Sequence, residues 1–363
     1  MNAKHATRTR EILNSKDQTE RTRLILDRFC GISDKVSEKV LYELLGHFID
    51  RKENQWGRQV TIKGSRTPIP LTPLKALQPE IVDEVCETIK TSLKRRFSQL
   101  PAMGRCWIDP QLRKIPLPTN MRTVSDALET QVRGTHTPLE NPNAKVVRFY
   151  VHWKDPKGDI DLDLSATFVG EDRCEVLSWC TGYCTDFGCH SGDVRHRVGD
   201  CAEYVDIVLE EARKRFRYVI VDVRNYDRRT LGEVKPVFGY MEREKPESSL
   251  IWVPKTVKNS FVLVTPSVNA LAIAFDLDEL DYVVLDLDMK GSPVAAQNLN
   301  GMKQLVRSFM EPPAVSVYDL LSWHVEARGG EFISDEDKET SDEQFHFKDF
   351  STSYVKILKW MRC

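Results

Sequence analysis

A segment in the middle of the chain alternates carboxylates with aliphatic side chains: Asp159-Ile160-Asp161-Leu162-Asp163-Leu164-Ser165. Strict alternation is typical of a β-strand with one buried and one exposed face, because successive side chains point to opposite faces. We therefore expect the aliphatic residues to enter a core and the three aspartates to share the other face. Side chains two residues apart on a strand are about 7 Å apart, so these carboxylates repel one another.

Three aligned carboxylates are stable either as a solvated strand face or as ligands of a hard cation such as calcium, which prefers oxygen ligands. A second acidic segment further along the chain favours the cation. It reads His190-Ser191-Gly192-Asp193 and continues through Gly199-Asp200-Cys201-Ala202-Glu203. Its glycines allow the backbone to bend around an ion. The sequence therefore predicts that the two segments meet at a cation site.

The charge of the chain is divided unevenly between its halves. Residues 1–150 hold 26 basic and 17 acidic side chains, and the remaining residues hold 26 basic and 37 acidic ones. A chain of 363 residues is long enough for two domains. A basic half and an acidic half indicate two modules with different partners.

The periodicity of apolar residues changes near residue 140 and predicts an α+β fold. Residues 1–140 show helical stripes and a Pro79 helix start, which indicate a basic, mostly helical α/β module. Residues 146–330 contain many short β-segments, which are typical of a β-sandwich. Residues 331–363 are predicted to be an acidic tail with a short closing segment, and 335–343 to be disordered.

Four segments, in this order and spacing, resemble the TerD family of tellurium-resistance and stress-response proteins. They are Asp159 to Ala166, His190-Ser191-Gly192-Asp193, Tyr218-Val219-Ile220-Val221-Asp222-Val223 and Leu231-Gly232-Glu233-Val234. The resemblance covers about residues 146–305. It implies a β-sandwich that binds calcium through clustered aspartates. It also implies a longer family member with an N-terminal extension.

By transfer from that family, the expected calcium ligands are Asp159, Asp161, Asp163, Asp193, Asp200 and Glu203. The chain departs from the family pattern at two places. Trp153 is followed by Lys154 where the family has an aspartate, and Asp155 compensates only if the loop shifts by one residue. The second acidic loop is short and contains Arg195, His196 and Arg197. These departures predict weakened calcium affinity, or the loss of one of two sites.

A cluster of cysteines raises the question of zinc. Cys180, Cys184, Cys189 and His190 lie close together in the sequence, and thiolate and imidazole are zinc ligands. Their spacing is not that of paired CxxC motifs, so packed free thiols are favoured over a zinc site. The odd total of nine cysteines also argues against a disulfide framework.

Several functional classes have no support in the sequence. Ser191 beside His190 lacks a nucleophile elbow, and neither a P-loop nor a G-x-G-x-x-G motif occurs. No apolar run reaches membrane-spanning length, and the N-terminus lacks the apolar segment of a signal peptide. We therefore expect a cytoplasmic, non-enzymatic protein that binds calcium. Its expected role is an interaction or scaffold module for other stress-response proteins.

The basic first half supports an alternative, a protein that binds nucleic acid or acts as a scaffold through residues 1–140, with a degenerate TerD-like domain that no longer binds metal. The candidate phosphate contacts are Lys94, Arg95, Arg96, Arg105, Arg113, Lys114 and Arg122. A docking surface for an acidic protein, including the second half of this chain, explains the same charge equally well.

Overall fold

A computed structural model describes residues 18–53, 58–60, 69–71, 77–118, 134–245, 254–289, 306, 310 and 313–362. Within these residues the structure contains two large, separate hydrophobic cores. One core fills a β-sandwich, and the other joins helices from both ends of the chain. The predicted α+β fold is confirmed.

The first module is built on three long helices. They are α1 (Gln18–Cys30), α2 (Glu38–Glu53) and α3 (Pro79–Phe97). Pro79 starts α3, where its missing N–H costs no hydrogen bond, and three basic residues occupy the last turn. Strands β1 (Arg58–Val60) and β2 (Ile69–Leu71) form a hairpin, β3 (Arg105–Ile108) follows α3, and 3-10 turns span Ser33–Lys35 and Pro110–Lys114.

The C-terminal segment completes this first module. After the sandwich, helix α6 (Val317–Ala327) packs on α3, and the parallel strands β15 (Glu331–Phe332) and β16 (Glu343–Phe345) flank β3. A 3-10 turn (Lys338–Thr340) separates these strands, and helices α7 (Phe347–Ser351) and α8 (Tyr354–Trp360) close the core. The structure thus differs from the expected acidic tail, because β3 needs strand partners on both edges.

In the part of the chain that the structure describes, the sandwich contains eleven strands in two antiparallel sheets. In chain order these strands are β4 (His136–Pro138), β5 (Val146–Asp155), β6 (Leu162–Val169), β7 (Cys174–Leu177), β8 (Gly188–His190), β9 (Gly199–Val208), β10 (Tyr218–Asn225), β11 (Val237–Arg243), β12 (Val257–Val262), β13 (Asn269–Asp276) and β14 (Asp281–Met289). The six-stranded sheet has the order β4-β14-β13-β10-β6-β7, and the five-stranded sheet has the order β12-β11-β5-β9-β8.

Short helical segments and one unexpected strand complete the sandwich. Helices α4 (Leu209–Ala212) and α5 (Leu231–Val234) and the 3-10 turn Pro254–Thr256 connect strands. Strand β4 falls within residues 1–140, which were expected to form the first module, and it pairs with β14 at the sheet edge. The sandwich therefore starts before residue 146.

Charged residues join the two modules and the two ends of the chain. Lys114 Nζ lies 2.8 Å from Asp281 Oδ2, at the start of β14. Burial alone would raise the pKa of Asp281, but hydrogen bonds from His136 and Lys114 outweigh it and lower that pKa. Lys94 Nζ lies 2.5 Å from Glu326 Oε2.

Other basic side chains of the first module also have intramolecular contacts. Arg95 pairs with Asp34, Arg96 Nη1 lies 2.8 Å from Glu38 Oε1, and Arg105 Nε lies 3.8 Å from Glu331 Oε2. Arg113 stacks over the Tyr318 ring at 3.6 Å, whereas Arg122 lies outside the described residues. Much of the basic charge therefore faces acidic and aromatic groups of the same chain.

Among the described residues, no helix is both long enough and apolar enough to cross a membrane.

The position of α6 in the first core generates a stability prediction. Val325 is fully buried on α6, whereas Val355 on α8 is 73% exposed. Val325→Ala should lower the free energy of unfolding by about 2 to 3 kcal/mol, through lost burial and a residual cavity. The matched Val355→Ala variant should change it by less than about 0.5 kcal/mol in urea denaturation. Equal effects of the two substitutions would contradict the placement of α6.

Candidate metal centre

Three of the six predicted ligands meet at one end of the sandwich. Asp161 immediately precedes β6, Asp163 is the second residue of that strand, and Asp193 lies on the loop between β8 and β9. One carboxylate oxygen from each lies within 4.8 Å of the other two. The two acidic segments therefore meet in the structure, but only three of the six predicted ligands form the cluster.

The other three predicted ligands lie outside this cluster. Asp159 is 54% exposed and pairs with Arg229 at 3.1 Å, because β6 starts only at Leu162 and the alternation does not extend back to Asp159. Asp200 is 71% exposed and contacts His152 at 3.2 Å. Asp200 and Glu203 are three residues apart on β9, so their side chains point to opposite faces of the strand.

Glu203 connects the two acidic segments without being a member of the cluster. Its side chain is buried, and its Oε2 accepts the Leu164 N–H at 2.9 Å while its Oε1 accepts the Val194 N–H at 3.0 Å. Strand β7 pairs with β6 only from Ala166 onward, so the backbone groups of Leu164 need other partners. Glu203 therefore holds the Asp193 loop against the start of β6.

His190 satisfies the other backbone group of Leu164. Its Nε2 donates to the Leu164 carbonyl at 2.9 Å, and its Nδ1 accepts the Gly192 N–H at 3.0 Å. This pair of bonds fits a neutral imidazole with its proton on Nε2, and burial lowers the pKa of His190. Both ring nitrogens are occupied, so His190 positions the loop and is not available to zinc.

The cysteines next to His190 also differ from the expectation. Cys184 and Cys189 face each other across a hairpin, with Cα atoms 4.1 Å apart, and form a disulfide. Cys180 is a free, exposed thiol. The expected free thiols are therefore wrong for this pair, because the hairpin brings together two cysteines that are five positions apart. The disulfide also removes both sulfurs as zinc ligands.

Asp155 shapes the turn that leads into the site. Its Oδ1 accepts the N–H groups of Lys157, Gly158 and Asp159, and its Oδ2 accepts that of Ile160 at 2.8 Å. Burial alone would raise the pKa of Asp155, but these four backbone bonds outweigh it and lower that pKa. Asp155 is thus committed to the backbone, so it does not replace the aspartate that the family has after its tryptophan. The Asp-Pro-Lys-Gly order indicates the turn but not the number of bonds.

A buried carboxylate that sequence reasoning did not select lies next to the cluster. Asp222 lies on β10, the neighbour of β6, opposite Ser165, and is buried. Burial, with a smaller contribution from the Asp163 charge, raises the pKa of Asp222 to about 7. The feature of the sequence that indicates Asp222 is a charged residue inside the apolar run Tyr218-Val219-Ile220-Val221-Asp222-Val223.

The cluster itself carries unfavourable negative charge. Burial and the neighbouring Asp161 and Asp193 raise the pKa of Asp163 to about 7. Burial also raises the pKa of Asp161, while Arg195 opposes that shift. One oxygen each of Asp161 and Asp193 is buried without a hydrogen-bond partner among the described residues. Carboxylate oxygens in this state suit a hard cation, and the residues present fit calcium.

Arg195 supplies positive charge at the edge of the cluster. Its Nε lies 2.7 Å from Asp193 Oδ2 and 4.0 Å from Asp161 Oδ2, and its guanidinium lies 5.3 Å from the centre of the Trp179 ring. The side chain is 47% exposed, so it can leave the cluster without uncovering a core. A divalent cation and this guanidinium compete for the same carboxylates.

This competition predicts the effect of one substitution. Arg195→Gln should raise calcium affinity by about tenfold, because the ion no longer displaces a resident positive charge. Isothermal titration calorimetry measures the change, with Arg173→Gln at the opposite end of the sandwich as the control. An unchanged or weaker affinity in Arg195→Gln would show that the guanidinium does not oppose the ion.

The raised pKa values predict a pH dependence without metal. The folded pKa values of Asp163 and Asp222 (about 7) and Glu203 (about 8, raised mainly by burial) exceed those of free carboxyls. The folded state therefore binds more protons, and stability is lost as the pH rises from about 4 through 8. The slope is at most about 1.4 kcal/mol per pH unit for each retained proton. Urea denaturation in EDTA at pH 5 and pH 8 measures it, and higher stability at pH 8 would contradict these shifts.

Comparison with known proteins gives no match to a protein-family model and none to a curated protein. The chain is similar to several solved structures. One is a protein of unknown function, at 21% sequence identity over 40% of this chain and 92% of that chain, with a TM-score of 0.31. Another is a homologue of the telluride resistance protein TerD from Streptomyces coelicolor, at 16% identity over 44% of this chain and 97% of that chain, with a TM-score of 0.35. The second carries the name of the family that the sequence motifs resemble.

Proposed function

We propose that this chain binds a calcium ion at Asp161, Asp163 and Asp193 and acts as a non-enzymatic interaction module. The observation that supports the site is the convergence of three carboxylates within 4.8 Å, with two of their oxygens buried and unpartnered. A cation removes the repulsion among these charges and gives the buried oxygens a partner.

The chemistry of the ligands favours calcium over zinc. All three side chains offer only oxygen, and calcium accepts six to eight oxygen ligands with flexible geometry, whereas structural zinc sites use thiolate and imidazole. Three carboxylates leave coordination positions for backbone carbonyls, water or a further ligand.

The cation would act by joining two segments that belong to different sheets. Asp161 and Asp163 belong to the start of β6, and Asp193 belongs to the loop that leads into β9. An ion held by all three fixes that loop more firmly than Arg195 does, because it contacts the three carboxylates together. The rigid loop then provides a surface for a partner.

A stress-response role and a cytoplasmic location are part of the proposal and rest on the family resemblance of the sequence motifs. Other stress-response proteins are the partners that this resemblance implies. The nucleic-acid alternative stays a prediction. Four of the candidate phosphate contacts, Lys94, Arg95, Arg96 and Lys114, pair with acidic side chains of the same chain, which disfavours phosphate binding through them. Steeply salt-dependent retention of the full chain on a polyanion column would support that alternative.

Thermal and urea denaturation with calcium, magnesium or EDTA test the cation site. Calcium should stabilise the protein by about 2.7 kcal/mol at a hundredfold excess over Kd, because it binds only the folded state. Magnesium should stabilise it less, because it demands octahedral geometry and keeps its waters.

Asp163→Asn separates a ligand role from a structural one. This variant should lose the calcium effect and yet be more stable than the parent in EDTA at pH 8, because a buried, repelled charge is gone. Asp200→Asn, which alters a 71% exposed side chain outside the cluster, should keep the calcium effect. A calcium effect that survives in Asp163→Asn, or disappears in Asp200→Asn, would contradict the site.

A further inference from the structure

The exposed apolar side chains of the sandwich are concentrated at its metal end. Among the described residues 134–288, the large apolar side chains that are exposed are Tyr183 (51%), Val198 (67%) and Tyr226 (56%). They lie on three separate loops: Tyr183 between β7 and β8, Val198 between β8 and β9, and Tyr226 directly after β10. Solvent-exposed apolar residues gathered at one end of a domain indicate an interaction site.

Each of these loops touches the backbone around the metal centre. Gly192, the neighbour of Asp193, packs against the Tyr183 ring: a Cβ atom added to this glycine would lie 3.7 Å from the ring. Gly158, in the turn that precedes the site, packs against Val198: a Cβ atom added to this glycine would lie 3.3 Å from the Val198 side chain. The Tyr226 N–H donates to the carbonyl of Asp161 at 2.8 Å. The three apolar side chains therefore belong to loops that adjoin the carboxylate cluster.

Basic side chains accompany the apolar tips. Arg197 and Arg228 are exposed on the loops of Val198 and Tyr226, and Lys157 is exposed in the turn between β5 and β6. These three side chains form no ion pair with any described residue. Arg197 directly precedes Val198, and Arg228 follows Tyr226 by two positions. Once a divalent ion neutralises most of the cluster, these three cations remain available to a negatively charged partner. We call Lys157, Tyr183, Arg197, Val198, Tyr226 and Arg228 the loop surface.

We propose that the loop surface docks onto an anionic phospholipid bilayer when the metal centre holds calcium. The proposal rests on the cation site argued above. Positive side chains favour a negatively charged partner, and tyrosine is suited to the lipid–water interface because its ring is apolar and its hydroxyl is polar. Lipid phosphate oxygens are ligands of the class that calcium uses for the coordination positions that three carboxylates leave open.

The arrangement of the tips favours a bilayer over a folded protein. The three apolar side chains belong to three separate loops, and two of these loops also carry an exposed cation. A folded partner would need a matching pocket for each tip at a fixed position. A fluid lipid interface accepts separated tips wherever they fall, and it offers phosphate groups between them.

Vesicle co-sedimentation of the full chain tests the proposal, beside calorimetric titration of calcium without lipid. With calcium, the chain should sediment with phosphatidylcholine vesicles that contain phosphatidylserine, and binding should fall at least about tenfold in EDTA or with phosphatidylcholine alone. The double variant Tyr183→Ser/Tyr226→Ser should lose a similar factor while calcium binding without lipid stays unchanged. Arg197→Gln/Arg228→Gln should weaken binding and reduce its salt dependence.

Matched controls lie elsewhere on the chain. Val355→Ser changes a 73% exposed side chain of the first module, and Arg173→Gln changes a 60% exposed side chain at the opposite end of the sandwich. Both controls should bind vesicles like the parent. Calcium binding without vesicle association overturns the docking surface and leaves the cation site in place. No calcium binding with or without vesicles overturns both. Equal calcium-dependent binding to soluble polyglutamate, with no preference for vesicles, also overturns the proposal and assigns the surface to an acidic protein.

Discussion

The repulsion among three carboxylates is the physical constraint on which this end of the sandwich depends. Two unit charges 4.8 Å apart repel by about 3.5 kcal/mol at an effective dielectric of 20. The protein has three ways to offset this cost: protonation of Asp163, the guanidinium of Arg195, and a bound cation. The first two are available without any ligand, and the third relieves all three charges at once.

Hydrogen bonds of two neighbouring side chains, Glu203 and His190, hold the carboxylates close together. Beyond the end of β7, the backbone of Leu164 has no strand partner on that side, and Glu203 and His190 take its place. The same two side chains bond to Val194 and Gly192 on either side of Asp193. The need to satisfy one unpaired strand edge therefore brings the two acidic segments together, and the cluster is a consequence of that requirement.

The sequence predicted which segments meet at this site better than it predicted which residues belong to the cluster. Alternation correctly placed Leu162 and Leu164 in the core, because side-chain period is a local property of a strand. It also placed Asp159 on the same strand face, but β6 starts only at Leu162, because the Asp155 turn precedes it and no pattern specifies the four backbone bonds of that turn. Glu203 was selected as a ligand, since the sequence cannot tell a carboxylate that bonds backbone N–H groups from one that faces a cation. The contribution of residues 313–362 to the first core was missed, because parallel pairing with β3 joins residues that are far apart in the chain.

A crystal structure of the full chain grown with calcium tests the central claim most directly. The account predicts one ion with an oxygen of Asp161, Asp163 and Asp193 each at about 2.3 to 2.6 Å, and an Arg195 side chain that has moved away from Asp193. A cluster that holds no ion at saturating calcium would contradict the account, as would an ion bound by Asp159 or Asp200 in its place.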